Sequence, residues 1–226
     1  MLFITVAINC HLFVKLDGLG YLTKANGLFD QLGTDRKCIS DSRYLERTDL
    51  FKRTPLEGNA TIFLGDSLTE RCNWDELLGN ESIRNRGIGS DTTYGVYNRL
   101  EPILDSKPDK VFLMVGINDL AKGYDVQTIT KRYEQIIAKI YTDSPSTAVY
   151  IQSVLPVRVG SVRNSDVIKL NQNLKSISET YGFQYIDLFT PLSDESNCLL
   201  SGVTEDGIHL NGSGYIIWKD EIMQYI

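Results

Sequence analysis

Thr61-Ile62-Phe63-Leu64-Gly65-Asp66-Ser67-Leu68 is the stretch from which the fold of this chain is read. A short run rich in β-branched and aromatic residues stops at a glycine, and an apolar-periodic stretch then runs through Leu77 and Leu78. A run this brief, bounded by turn residues, predicts a strand that passes straight into a helix. Comparable runs stand at Val111–Val115, Ala148–Val154 and Gln184–Ile186, each followed by Gly, Pro or Asp. Strands that are almost continuously apolar point to a parallel sheet buried on both faces.

Helical patterns lie between these runs. Ile129, Tyr133, Ile136, Ile137 and Ile140 mark one helix face, and Val167, Leu170, Leu174 and Ile177 mark another. Tyr215 to Ile226 reads as a closing helix. Strands alternating with helices predict an α/β fold, a three-layer α/β/α sandwich with right-handed crossovers. Ligands of such folds gather beyond the carboxyl ends of the strands, so the residues there carry the functional reading.

Composition sets outer bounds. The 226 residues are 42% hydrophobic and 23% charged, as in a globular chain of one large domain. The net charge of −6, with no basic tract, argues against nucleic acid as a partner. Cys10, Cys38, Cys72 and Cys198 form no C-x-x-C pair, so neither a zinc ribbon nor a thioredoxin-type site is encoded, and reduced thiols in a cytoplasmic protein are expected. The apolar run Leu2–Val14 is broken by Asn9 and His11 and follows no Lys or Arg. It is too short to span a bilayer, so stable membrane insertion is not expected. Residues 1–58 have weak periodicity, with Ser42–Arg53 as a polar helix. They are taken as an N-terminal extension packed on the same domain as the core, 59–226.

Four positions after the strands carry chemistry. Ser67 stands at a strand-to-helix turn, where a helix N-terminus favours negative charge; a plain helix cap is the rival explanation. Asn85-Arg86-Gly87-Ile88-Gly89-Ser90-Asp91 fails as a dinucleotide fingerprint because Thr92 replaces the third glycine, and Gly18-Leu19-Gly20 fails likewise at Thr23. Gly87 instead suits a close approach of backbone N–H to a bound oxygen, or an ordinary turn. Asn118, after Val111–Val115, offers uncharged amide donors, or an Asx-turn. Asp206 lies three residues before His209, close enough to orient the ring. His11, the other histidine, sits in an apolar run and is the weaker base candidate. Nucleophile, two donor types, base and orienter are together what acyl transfer requires.

These residues resemble the GDSL, or SGNH, hydrolase family. Gly65–Leu68 is the literal G-D-S-L, Gly87 matches the second block, Gly116–Asp119 the G-x-N-D block and Asp206–His209 the D-x-x-H block, in order over residues 60–226. Asn85–Arg99 and Phe112–Leu120 look most like the branch containing platelet-activating-factor acetylhydrolase catalytic subunits and bacterial acylesterases. The resemblance implies a flavodoxin-like sandwich with a mainly parallel five-stranded sheet. It implies Ser67 as nucleophile, His209 as base and Asp206 as its partner, with an oxyanion hole from the Ser67 and Gly87 N–H groups and the Asn118 side chain. Asp66 and Asp119, inside the matching blocks, are expected at the substrate. No cofactor or metal is implied. The expected partner is a small-molecule ester, with an acetylated carbohydrate or a lipid as candidates. Residues 1–45 fall outside the blocks; an added strand and helix, or the arm of a homodimer, both fit them.

Two rival functions remain at this stage. Asp66, Asp91 and Asp119 follow strands and suit a metal-dependent phosphohydrolase, and the fold also hosts non-catalytic carbohydrate-binding modules. Trp74 and Trp218 read as core or rim aromatics. Asn59, Asn80 and Asn211 open glycosylation sequons by pattern alone. Tyr141–Ser146 and Arg158–Ser165 read as loops, the second bordering the substrate cleft.

Overall fold

The computed structural model describes residues 39–54, 56 and 58–226. Expectations for Leu2–Val14, Cys10, His11, Gly18-Leu19-Gly20 and Cys38 lie outside the described residues. Helix α1 (Ser42–Arg53) falls within the compact unit that ends at Ile226. Asp41 caps α1 by accepting from the Arg43 N–H, and Tyr44 donates to the Gly95 carbonyl at 2.9 Å.

The chain continues through β1 (Thr61–Gly65), α2 (Ser67–Glu70), α3 (Trp74–Leu78), β2 (Ile83–Gly87), α4 (Thr93–Asn98), α5 (Glu101–Asp105) and β3 (Lys110–Met114). Then come α6 (Ile117–Ala121), α7 (Val126–Asp143), β4 (Ala148–Gln152), α8 (Asn164–Tyr181), β5 (Gln184–Ile186) and α9 (Gly212–Ile222). All five strands pair in parallel in the order β2-β1-β3-β4-β5. Parallel neighbours need crossovers, which the helices supply.

Strand alternation divides the core into two layers. Ile62, Leu64, Val111, Leu113 and Ile151 pack with Val96, Leu100, Ile136, Ile140, Leu170 and Leu174 on one face. Phe63, Phe112 and Met114 pack with Trp74, Tyr215 and Trp218 on the other. The three-layer α/β/α sandwich expected from the alternating pattern is therefore present. On the second face the register sets Phe63 beside Phe112 and Phe112 beside Tyr150. Their rings stack at centroid distances of 4.8 and 4.4 Å, and Trp74 continues the stack on Phe63 at 4.3 Å. Trp74 and Trp218 are fully buried, and their indole N–H groups donate to the Thr69 carbonyl and to Gln152 Oε1.

Several details differ from the sequence reading, among them the closing helix, which is α9 (Gly212–Ile222) rather than Tyr215–Ile226. Ile83–Gly87, part of which was taken as a turn, is the edge strand β2; its Arg84, Asn85 and Arg86 hide the apolar signal. β3 and β4 end one and two residues earlier than expected. Helix α7 continues to Asp143, so only the remainder of Tyr141–Ser146 is a loop. Arg158–Arg163 is irregular as expected, and α8 starts at Asn164. Among the described residues no helix is long and apolar enough to cross a membrane.

Candidate active site

Parallel strands send their carboxyl ends to one edge of the sheet, and the candidate residues collect there. At the end of β1, a Cβ on Gly65 would overlap Met114 O and Thr69 Oγ1, so only glycine fits the tight passage into α2. Asp66 caps α2 through its carboxylate, which accepts from the Leu68 N–H at 3.0 Å. Ser67 then occupies the first helical position, where no intrahelical carbonyl reaches its N–H.

Ser67 Oγ lies 3.0 Å from His209 Nε2. The other ring nitrogen, Nδ1, is 2.6 Å from Asp206 Oδ2. The second carboxylate oxygen of Asp206 accepts the backbone N–H groups of Ile208 and His209 at 2.9 and 2.7 Å. Those bonds to His209, backbone first and ring second, hold the Asp206 carboxyl far below the usual carboxylate range. The loop is fixed from outside as well. Gly207 adopts φ +81°, its N–H donates to Thr204 Oγ1, and its carbonyl accepts from the Arg158 N–H. Tyr215, on the helix that follows His209, donates its hydroxyl to the Leu68 carbonyl at 2.8 Å and so ties α9 to α2.

Asn118 reaches the same edge from β3. Gly116 makes the turn with φ +136°, and Asn118 Nδ2 donates one hydrogen to the Asp91 carbonyl at 2.9 Å. An amide has two N–H donors, and this bond uses one of them.

Gly87 requires correction. Its N–H donates to Asn85 Oδ1 at 2.8 Å and is not open to a substrate oxygen. It is glycine for packing: a Cβ would overlap the Glu70 backbone on α2. The loop continues with Gly89 N–H donating to Glu70 Oε2 and with Ser90 in the left-handed region at φ +62°.

Asp66 and Asp119 also depart from expectation. Both carboxylates are buried and occupied, Asp66 by Leu68 N–H and Asp119 by the N–H and hydroxyl of Thr93. Neither is presented to a substrate. Burial pushes the Asp66 carboxyl up to about 7 and the Asp119 carboxyl up to about 6. Asp91, the third member of the proposed metal cluster, accepts instead from the Thr92 N–H and from Arg99. Each of the three carboxylates is taken up by its own partners, and among the described residues no group of three acidic, His or Cys side chains converges as a metal site. This geometry disfavours the phosphohydrolase alternative.

Residues 63–217 match the model of the GDSL-like Lipase/Acylhydrolase family. The chain belongs to that family, and through it to the hydrolases. An N-acylneuraminate cytidylyltransferase of Streptococcus agalactiae is 26% identical over 168 residues, covering 71% of this chain. The match spans only 39% of that relative. The human platelet-activating factor acetylhydrolase IB subunit alpha2 is 27% identical over 163 residues, 68% of this chain and 70% of that one. A solved GDSL-like lipase from Bacteroides thetaiotaomicron superposes with a TM-score of 0.67 at 21% identity, covering 81% of this chain and 95% of that chain. At such identity the likeness speaks to the fold.

The buried carboxylate of Asp66 leads to a stability prediction. Its folded value of about 7 exceeds the ordinary aspartate value of 3.8, so the folded state holds the extra proton between them. The stability this contributes is full below about 4 and is lost as pH rises through about 7. Asp66→Asn stays neutral and keeps an acceptor for the Leu68 N–H. Urea midpoints from pH 5 to 8 are expected to fall less steeply for the variant than for the wild type; parallel curves would contradict the assignment.

Proposed function

We propose that this protein is a serine esterase that hydrolyses short-chain carboxylic esters, acetyl esters first, through an acyl-enzyme on Ser67. The observation that carries the reading is the 3.0 Å contact of Ser67 Oγ with His209 Nε2, backed by the 2.6 Å contact of Nδ1 with Asp206. A nucleophile, its base and the group orienting the base stand in one hydrogen-bonded line.

In the first half-reaction His209 Nε2 takes the Ser67 hydroxyl proton while Oγ bonds to the ester carbonyl carbon. The imidazolium that forms is stabilised by the ionised Asp206 carboxylate. The carbonyl oxygen becomes an oxyanion, held by the Ser67 N–H and the second hydrogen of Asn118 Nδ2. Collapse breaks the carbon–oxygen bond to the alcohol, which leaves with the proton from His209. Water then donates a proton to His209, attacks the acyl carbon and releases the acid, restoring Ser67.

The acyl preference rests on weaker but concordant features. A relative is by name an acetylhydrolase. The segments beside the site, Gly87–Thr93 and Gly116–Tyr124, are polar and glycine-containing. A long acyl chain is favoured only where its methylenes are buried, at about 0.8 kcal/mol each, and such segments offer little apolar lining.

Ser67→Ala removes the nucleophile with a minimal change of volume. The expected result is an intact fold and kcat lowered by on the order of 10⁴ or more with p-nitrophenyl acetate. Turnover close to wild type would remove Ser67 from the mechanism. Across p-nitrophenyl esters, kcat/KM is expected to fall steadily from acetate to octanoate. A maximum at octanoate or longer would show an apolar acyl site instead.

A further inference from the structure

One buried cation joins elements that the proposed mechanism needs in register. Arg99 follows α4 and is 7% exposed. Its guanidinium donates in three directions. Nη2 reaches the Gly65 carbonyl at 2.9 Å, Nη1 the Arg86 carbonyl at 2.7 Å, and Nε the Asp91 carboxylate at 2.8 Å. Gly65 is the last residue of β1, two before Ser67, and Arg86 adjoins the end of β2. Asp91 holds Asn118 through its own carbonyl.

The placement leaves Asp91 little freedom. Its other carboxylate oxygen accepts from the Thr92 N–H, and a Cβ on Gly95 would overlap that oxygen. The carboxylate is thus pinned by Arg99 on one side and packed on the other, while the carbonyl of the same residue fixes the Asn118 amide. The Gly65 carbonyl also accepts from the Ile88 N–H at 3.1 Å, which draws the loop after β2 to the same point.

We propose that Arg99 is the positioning residue of the oxyanion site, its guanidinium setting the end of β1 that bears Ser67 against the loop residue that anchors Asn118. The proposal rests on the reading of Ser67 and Asn118 as oxyanion donors. The two donors come from different strands, β1 and β3, with no covalent link shorter than the chain between them. Displacement of a reacting group by about 1 Å can cost on the order of 10²-fold in rate. A planar fork with five N–H donors serves three acceptors at once; a lysine ammonium keeps the charge but lacks that fixed geometry.

The test is Arg99→Lys in the full chain, assayed with p-nitrophenyl acetate and with an alkyl boronic acid that forms a tetrahedral adduct on the nucleophile. The expected result is kcat reduced roughly 10²-fold, KM within about threefold, and boronate affinity reduced by a factor similar to that in kcat. A purely structural role would lower the melting temperature without this split. If Arg99→Lys does not fold, Asp91→Asn replaces it, keeping an acceptor oxygen and the backbone carbonyl, with a loss in the same direction of roughly tenfold. Values of kcat and boronate affinity within twofold of wild type overturn the proposal, as does a kcat loss accounted for by unfolded protein. Ser67→Ala is run alongside. Turnover in that variant would sink the reading of the site, whereas an inactive Ser67→Ala beside an unaffected Arg99→Lys sinks the positioning role alone.

Discussion

Ser67 and His209 are 142 positions apart in the chain, yet their side chains meet at 3.0 Å. A hydrogen bond tolerates only a few tenths of an ångström, so the intervening sheet and helices have to be in register for it to exist. β1, flanked by β2 and β3, delivers Ser67 from inside the sheet, and α9 follows His209 and packs Tyr215 and Trp218 against the same core as Phe63 and Phe112. The Tyr215 hydroxyl bonded to the Leu68 carbonyl is a direct strut between the two halves. The aromatic stack from Trp74 through Phe63 and Phe112 to Tyr150 gives that face its stiffness, since close-packed rings leave few alternative arrangements.

Beneath the site the molecule accepts a local energetic penalty. Asp66, Asp91 and Asp119 are buried close together, and burial raises the proton affinity of each. Arg99 and Arg132 offset the charge, Arg99 through its bond to Asp91 and Arg132 lying 3.7 Å from Asp119. The remaining oxygens are taken up by backbone N–H groups and by Thr93. Buried ionic groups of this kind add little net stability over an apolar core, but they demand one geometry to be satisfied at all. Here that geometry shapes the loops around Ser67 and Asn118. By contrast, Arg43 and Arg47 link α1 to Glu70 with side chains 60% and 29% exposed, contacts that solvent screens far more.

Most of the sheet was legible because its inner strands, β1 and β3 above all, are buried on both faces. β1, β3, β4 and β5 announce themselves as short apolar runs, whereas β2 is an edge strand reading Ile-Arg-Asn-Arg-Gly, and its polar side chains find partners that no local pattern reveals. In the site, Ser67 and the Asp206–His209 pair were readable since each lies in a compact local motif. The destination of the Gly87 N–H was not, because it depends on how the Asn85 side chain turns back two residues along. The burial of Asp119 was hidden for a similar reason: its partner Thr93 is 26 positions away. Arg99 drew no notice because a charged residue at the end of a helix ordinarily faces water; only the fold shows three acceptors converging on it.

The proposed chemistry depends on Ser67 being an activated nucleophile and not simply the first residue of a short helix. Mass spectrometry of the active protein after treatment with a fluorophosphonate measures this directly, since the reagent bonds to a serine only where a neighbouring base takes its proton. The expected result is one adduct per chain, located on Ser67, with esterase activity lost in proportion to labelling. An adduct on another residue, or full activity in protein labelled at Ser67, would contradict it.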